Sequence, residues 1–92
     1  MNKAELVAVV AEKTTLTKKD TEEIIDLLFD TIQETLATGE KVVISRFGTF
    51  EVRRRVARTG RNPRTGEDIH IIEQNTPAFR TGKGLKEAVD KR

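Results

Sequence analysis

Few side chains in this 92-residue chain could carry covalent chemistry, and those few stand apart from one another. Ser45 is its one serine and His70 its one histidine, both expected on strands. Neither has a nucleophile, base or acid at a spacing that would form a catalytic pair, so the chain is not read as an enzyme. It contains no cysteine, which removes disulfides, redox motifs and thiolate zinc sites. One histidine without a sulfur ligand does not make a structural metal centre, and no metal or cofactor is expected. Gly82-Lys83-Gly84 has some likeness to a phosphate loop, but the nucleotide-binding spacing needs glycine where Pro77 stands and Ser or Thr where Gly84 stands. What remains there is a set of backbone amides at a helix start with Lys83 and Lys86 alongside, which suits a nucleic-acid phosphate.

The strongest chemical signal is charge. Residues 1–50 carry six Lys or Arg against nine Asp or Glu, net −3, whereas residues 51–92 carry eleven against six, net +5. Arg53, Arg54, Arg55, Arg58, Arg61 and Arg64 fall within twelve residues that contain no acid. Such a block repels itself and is either a solvated face or a polyanion-binding segment. The exclusive use of arginine, whose planar fork matches phosphate oxygens, favours the second. Pro63 stands inside the block, in Gly60-Arg61-Asn62-Pro63-Arg64-Thr65-Gly66, a run of turn formers. A compact apolar ring at the tip of a basic ribbon is suited to enter a minor groove, unstack a base step and kink the duplex. The cost, about a few kcal/mol, is offset by wider contact with phosphate.

The elements that must position these residues can be read from local signals. Asn2 with Glu5 is a capping pair for a first helix, with Leu6, Val9 and Val10 on one side and an end near Lys13. Thr17 with Asp20 caps a longer second helix that runs to Gly39. Its apolar positions Ile24, Ile25, Leu27, Leu28, Phe29, Ile32 and Leu36 span more than the roughly 100° that faces a single core, so it is expected to pack on a second chain as well. After Gly39 the period becomes alternating, with Val42, Ile44, Phe50 and Val52 on two strands joined by a turn at Arg46-Phe47-Gly48. The second strand is expected to run on through Val56 and Ala57 into the arginine block and to return through Ile69 and Ile71. About eight residues per strand would give this arm a reach of roughly 25 Å. A two-stranded ribbon without a hydrophobic face is marginal alone, so the arm should be mobile when unbound. A final helix begins near Gly82, with Leu85, Ala88 and Val89 inward.

Composition sets the frame. At 36% hydrophobic and 35% charged the chain reads as one soluble globular domain. A chain this short buries only roughly 60 to 65% of the surface it exposes when unfolded, and with no disulfide or metal, oligomerisation is the remaining remedy. The apolar run Leu6–Ala11 is six residues long and bounded by Glu5 and Glu12, too short and too acidic at its edges for a signal peptide or membrane span.

The chain resembles the bacterial histone-like family of HU and integration host factor proteins, and more the HU branch. Met1-Asn2-Lys3, Phe47-Gly48-Thr49-Phe50, the arm-tip Gly60-Arg61-Asn62-Pro63, Pro77-Ala78-Phe79, Gly82-Lys83 and Leu85-Lys86 carry the likeness along the whole length without insertions. Insertion of apolar wedges into the minor groove is a habit of that family, so the wedge at Pro63 is not independent of the resemblance. Two departures stand out: Arg46 where glycine is usual before the Phe-Gly pair, and Thr76 where valine is usual before Pro77.

The resemblance implies an α+β fold assembled as an intertwined homodimer, with two N-terminal helices, a three-stranded antiparallel sheet with an extended β-hairpin arm, and a short C-terminal helix. Residues 1–92 would form a single histone-like DNA-binding domain: 1–39 the helical dimerisation region, 40–81 the sheet with an arm at about 54–73, and 82–92 the last helix. Phe29, Ile32, Leu36, Ile44, Phe47, Phe50 and Phe79 would lie in the dimer core. Arg53, Arg55, Arg58, Arg61 and Arg64 would line the arm against the minor groove, and Asn62 would sit at the tip with Pro63 intercalating. Lys3, Arg80, Lys83 and Lys86 would hold phosphates on the body, and Arg46 would add another contact. Arg54 points opposite Arg53 and Arg55 on a pleated strand and is the weaker candidate. The implied partner is double-stranded DNA, preferably bent, nicked or flexible, bound in the cytoplasm at the nucleoid with no membrane involved. Two alternatives remain open at this point: a subunit of a site-preferring heterodimer of the integration-host-factor kind, and an RNA-binding protein with a basic arm.

Overall fold

The computed structural model describes residues 1–56 and 58–90, and for Arg58 and Ile71 the backbone alone. The expected strand residue Ala57 and the side chain of Arg58 thus lie outside what is described. The chain divides into two compact units, Met1–Glu34 and Thr35–Arg92.

The first unit holds α1 (Lys3–Lys13) and most of α2 (Lys18–Ala37). Both helices start where their caps place them. Asn2 Oδ1 accepts from the Glu5 N–H at 2.9 Å and Thr17 Oγ1 accepts from the Asp20 N–H at 3.1 Å, each satisfying a donor that the first turn cannot. Glu5 near the start and Lys13 near the end of α1 complement its dipole. The buried side chains are Val7 and Ala11 on α1 and Thr21 and Ile25 on α2. Val7 and Ala11 are four apart and share one face. This corrects the expected inward set, since Leu6 is exposed while Val9 and Val10 are half-buried. Thr21 is 1% exposed and donates its hydroxyl to the Thr17 carbonyl at 2.7 Å, which allows a polar side chain to be buried without an unmet bond. Of the apolar stripe on α2, only Ile25 is buried, while Ile24, Leu27, Leu28 and Phe29 remain about half exposed.

The second unit begins with the end of α2, where the Gly39 N–H closes on the Leu36 carbonyl at 2.9 Å and Gly39 takes φ +89°, a conformation that glycine adopts without steric cost. It continues through β1 (Val42–Ile44), β2 (Gly48–Arg55), β3 (Arg58–Arg61), β4 (Asp68–Ile71), β5 (Gln74–Thr81) and α3 (Lys83–Val89). A three-stranded antiparallel sheet has the order β1-β2-β5, and β3-β4 forms a separate two-stranded ladder. This is the expected α+β arrangement of two helices, sheet, hairpin arm and C-terminal helix. Pro77, which lacks an N–H, is accommodated because β5 is an edge strand.

The expected unbroken ribbon needs correction. The β2–β5 pairing ends at Arg55↔Gln74 and the β3–β4 pairing starts at Arg58↔Ile71, so β3 and β4 have four residues each rather than continuing β2. The pairs Arg55↔Gln74 and Arg58↔Ile71 fall in one register. Val56 is 70% and Ile72 75% exposed, so no core holds the pairing at this level. On α3 Leu85 is half-buried, but Ala88 and Val89 are exposed instead of facing inward.

Candidate nucleic-acid interface

Antiparallel pairing sets which side chains share a face. Phe50 stands opposite Phe79, Val52 opposite Pro77 and Val42 opposite Phe50, so these residues form one side of the sheet. Phe79 collects the aromatic cluster, with ring centroids 4.8 Å from Phe50 and 5.6 Å from Phe47, both tilted. The opposite side carries Thr49, Glu51, Arg53 and Arg55 from β2 and Thr76, Ala78 and Arg80 from β5. The period of two that separated Arg54 from Arg53 and Arg55 in the sequence therefore holds in the sheet.

Each cation has a particular electrostatic setting. Glu51 lies between two arginines, with Oε1 3.4 Å from Arg80 Nε and Oε2 3.9 Å from Arg53 Nε. Arg54, on the other side, forms an ion pair with Glu73. Arg61 stands opposite Asp68 in the β3–β4 ladder. Among the described residues Arg55 and Arg64 are exposed and have no ion pair. Sequence reasoning missed Asp26, Glu51 and Glu73 as counter-charges. Only Glu51 left a local signal, two positions before Arg53 on an alternating strand.

The arm tip is built by its own hydrogen bonds. Asn62 N–H donates to the Glu67 carbonyl and the Gly66 N–H donates to the Asn62 carbonyl, both at 2.8 Å. Asn62 Oδ1 accepts from the Arg64 N–H at 2.9 Å, and Thr65 Oγ1 accepts from the Glu67 N–H at 3.3 Å. Gly66 closes the turn at φ +76°. Asn62 thus spends its side-chain oxygen on the turn, and Pro63 is left exposed at the end with Arg61 and Arg64 on either side.

At the other end of the sheet Arg46 takes φ +69°, the left-handed conformation for which glycine is the usual occupant. The turn is Ser45–Phe47, so Ser45 is in the turn and not on a strand. Arg46 and Phe47 are fastened to the start of α3: the Leu85 N–H donates to the Arg46 carbonyl at 3.0 Å and the Gly82 N–H to the Phe47 carbonyl at 2.7 Å. A Cβ on Gly82 or Gly84 would stand 2.8 or 2.7 Å from that backbone, so both glycines permit the close approach. The glycine-lysine step is thereby explained by packing, with Lys83 and Lys86 exposed on the helix it opens.

Lys3 belongs to the first unit, where its ammonium pairs with Asp26. The hydrogen bond that the Lys3 ammonium donates to the Asp26 carboxylate holds the Lys3 pKa above the ordinary lysine value, outweighing desolvation, and the charges of Asp26, Glu22 and Asp30 add to the effect. Among the described residues no cluster of three or more His, Cys, Asp or Glu side chains could hold a metal, and no helix is long and apolar enough to cross a membrane. Of the expected dimer-core residues, Phe29, Ile44, Phe47 and Phe79 are exposed, and Ile32, Leu36 and Phe50 are half-buried.

Residues 1–90 match the family described as bacterial DNA-binding protein. The chain belongs to that family. It is 55% identical over 89 residues to DNA-binding protein HU-1 of Halalkalibacterium halodurans, covering 97% of this chain and 99% of the relative. It is 57% identical over 88 residues to DNA-binding protein HU of Streptococcus thermophilus, covering 96% and 97%. Among solved structures, HU from an Anabaena HU–DNA cocrystal aligns over 100% of both chains at 44% identity with a TM-score of 0.87. The α+β fold described above is therefore the HU fold, and the relatives bear the names of DNA-binding proteins, not of enzymes.

Proposed function

We infer that this HU-family chain is a non-enzymatic, sequence-tolerant architectural protein that binds and bends double-stranded DNA as a homodimer, at the nucleoid of a bacterial cytoplasm and without a cofactor. The observation that carries this reading is the arm tip, where a self-closed turn presents an exposed Pro63 between Arg61 and Arg64. A ring with φ already set and flanked by guanidinium groups is prepared to enter a minor groove, unstack a base step and hold the neighbouring phosphates. Arg53, Arg55, Arg58 and Arg80 extend the contact along the sheet and arm, and Arg46, Lys3, Lys83 and Lys86 lengthen the phosphate path. Asn62 acts by shaping the tip.

Dimerisation is supported by the half-exposed apolar side chains Leu28, Phe29, Phe47 and Phe79, which a second copy would cover. Residues 1–39 would supply the helical portion of that interface, 40–81 the sheet and arm, and 82–92 the last helix. Affinity would arise from phosphate neutralisation, and preference from the lower cost of deforming flexible, nicked or bent duplex.

The test is a gel shift with linear, nicked and gapped duplexes at several salt concentrations, with structured RNA as competitor. Tighter binding to the interrupted duplexes is expected. With roughly six or more phosphates neutralised, affinity should fall about 10³-fold or more between about 50 and 200 mM salt. A flat salt profile, or a preference for RNA, would overturn the reading. A homodimer that binds random and selected sequences alike excludes the site-preferring heterodimer.

A further inference from the structure

Glu51 is an acid in the middle of the arginine-bearing face, and neither the fold nor the proposed DNA contact uses it. Its side of the sheet is the one away from the Phe50–Phe79 cluster, so it adds nothing to the aromatic packing. Oε1 is buried, yet it has no hydrogen-bond partner, because the 3.4 Å approach of Arg80 Nε lacks hydrogen-bond geometry. Oε2 lies 3.9 Å from Arg53 Nε, beyond hydrogen-bond range. The carboxylate is therefore held by two cations through charge alone. Both arginines keep more than half of their surface in solvent, 61% for Arg53 and 64% for Arg80, while Glu51 keeps 26%. An anion approaching this face meets the guanidinium groups before it meets the acid.

We propose that Glu51 is a built-in competitor for DNA phosphate, occupying Arg53 and Arg80 in the free protein and yielding them when a phosphodiester arrives. The proposal rests on the DNA-binding reading above and deepens it. Carboxylate and phosphodiester each carry one negative charge, so the exchange trades like for like and gains less than binding to a free arginine. The released carboxylate also takes up a cation from solution, which subtracts from the counterions that DNA gives up. Glu51 thus limits how tightly any one stretch of duplex is held and flattens the salt dependence. A protein meant to move among many sites would benefit from both effects.

The test compares the full-length protein with its Glu51→Gln variant, which keeps shape and removes charge, on one nicked duplex over a range of salt. Glu51→Gln is expected to bind about two- to tenfold tighter at low salt, the span of two exposed ion pairs, with a steeper fall as salt rises. Arg80→Ala should weaken binding more in the Glu51→Gln background than in the unmodified protein. Equal or weaker binding by Glu51→Gln, with its melting curve intact, would overturn the proposal and show the acid to be an orienting group. Failure of the unmodified protein to bind duplex at all would instead remove the DNA-binding reading. The unmodified protein supplies a second measurement that needs no variant. The Nε–Hε resonances of Arg53 and Arg80 should shift together when duplex is added, and resonances that stay in place would refute the exchange.

Discussion

Phe79 lies across the bare Cα of Gly48. A Cβ at that position would come within 2.6 Å of Phe79 Cε1 and 2.7 Å of the Arg80 carbonyl oxygen. The ring cannot move aside freely, because it also packs on Phe47 and Phe50, and the carbonyl belongs to the β5 backbone. Gly48→Ala is therefore expected to destabilise the fold by about 1–3 kcal/mol, the cost of overpacking a filled site. Chemical denaturation at fixed protein concentration checks this, and an unchanged midpoint would show that the aromatic cluster yields.

Arg46 allows the reverse experiment. Its φ of +69° is unfavourable for a residue with a Cβ, so Arg46→Gly should stabilise the chain by about 0.5–1 kcal/mol. The same change deletes an exposed cation from the proposed phosphate path. A raised melting temperature together with weaker duplex binding at low salt is expected. Stabilisation with unchanged affinity would remove Arg46 from the binding set.

What was legible in the sequence follows from how locally each feature is determined. The caps at Asn2 and Thr17 and the tip at Asn62–Gly66 close within a few residues, and their hydrogen bonds are where the side-chain types placed them. The two-faced sheet was legible because a period of two survives pairing. The partnership of Arg54 with Glu73 was not, because it depends on the β2–β5 register. Nor was the lapse of pairing after Arg55, since continued alternation does not reveal where a ribbon runs out of core. In α1 the unbroken small apolar run Val7-Ala8-Val9-Val10-Ala11 left the buried face ambiguous, and the choice of Val7 and Ala11 was made by packing rather than by the residue types.

The arm should exchange its amides far sooner than α2. The four β3–β4 pairs are flanked by exposed Val56 and Ile72, so opening them uncovers little apolar surface. Hydrogen exchange of the free protein should show rapid loss of protection at Thr59, Gly60 and Ile69 and slow loss at Thr21 and Ile25. Comparable protection in both places would contradict a weakly held arm.

Lys3 gives a pH test. Its pKa is raised by the Asp26 hydrogen bond above the ordinary value of 10.5. A raised lysine pKa contributes stability that is complete below the unfolded value and is lost as pH climbs through the folded one, so the window lies above 10.5. An NMR titration of the Lys3 side chain should show this upward displacement, and Asp26→Asn should reduce it. The same midpoint in both proteins would mean that the ion pair is not formed in solution.

Pro63 separates grip from bend. The tip turn is closed by Asn62 and Gly66, neither of which needs the proline ring, so Pro63→Ala should leave the arm intact. The arginines on both sides also remain, and with them most of the phosphate neutralisation that sets affinity. What is lost is the rigid apolar wedge whose insertion unstacks a base step. Fluorescence transfer between the ends of a short bound duplex should therefore report a clearly smaller bend, while affinity at moderate salt falls only several-fold, about 1 kcal/mol. If the bend angle is unchanged, the wedge is not the source of bending, and the deformation must come from asymmetric neutralisation of phosphates along the sheet and arm.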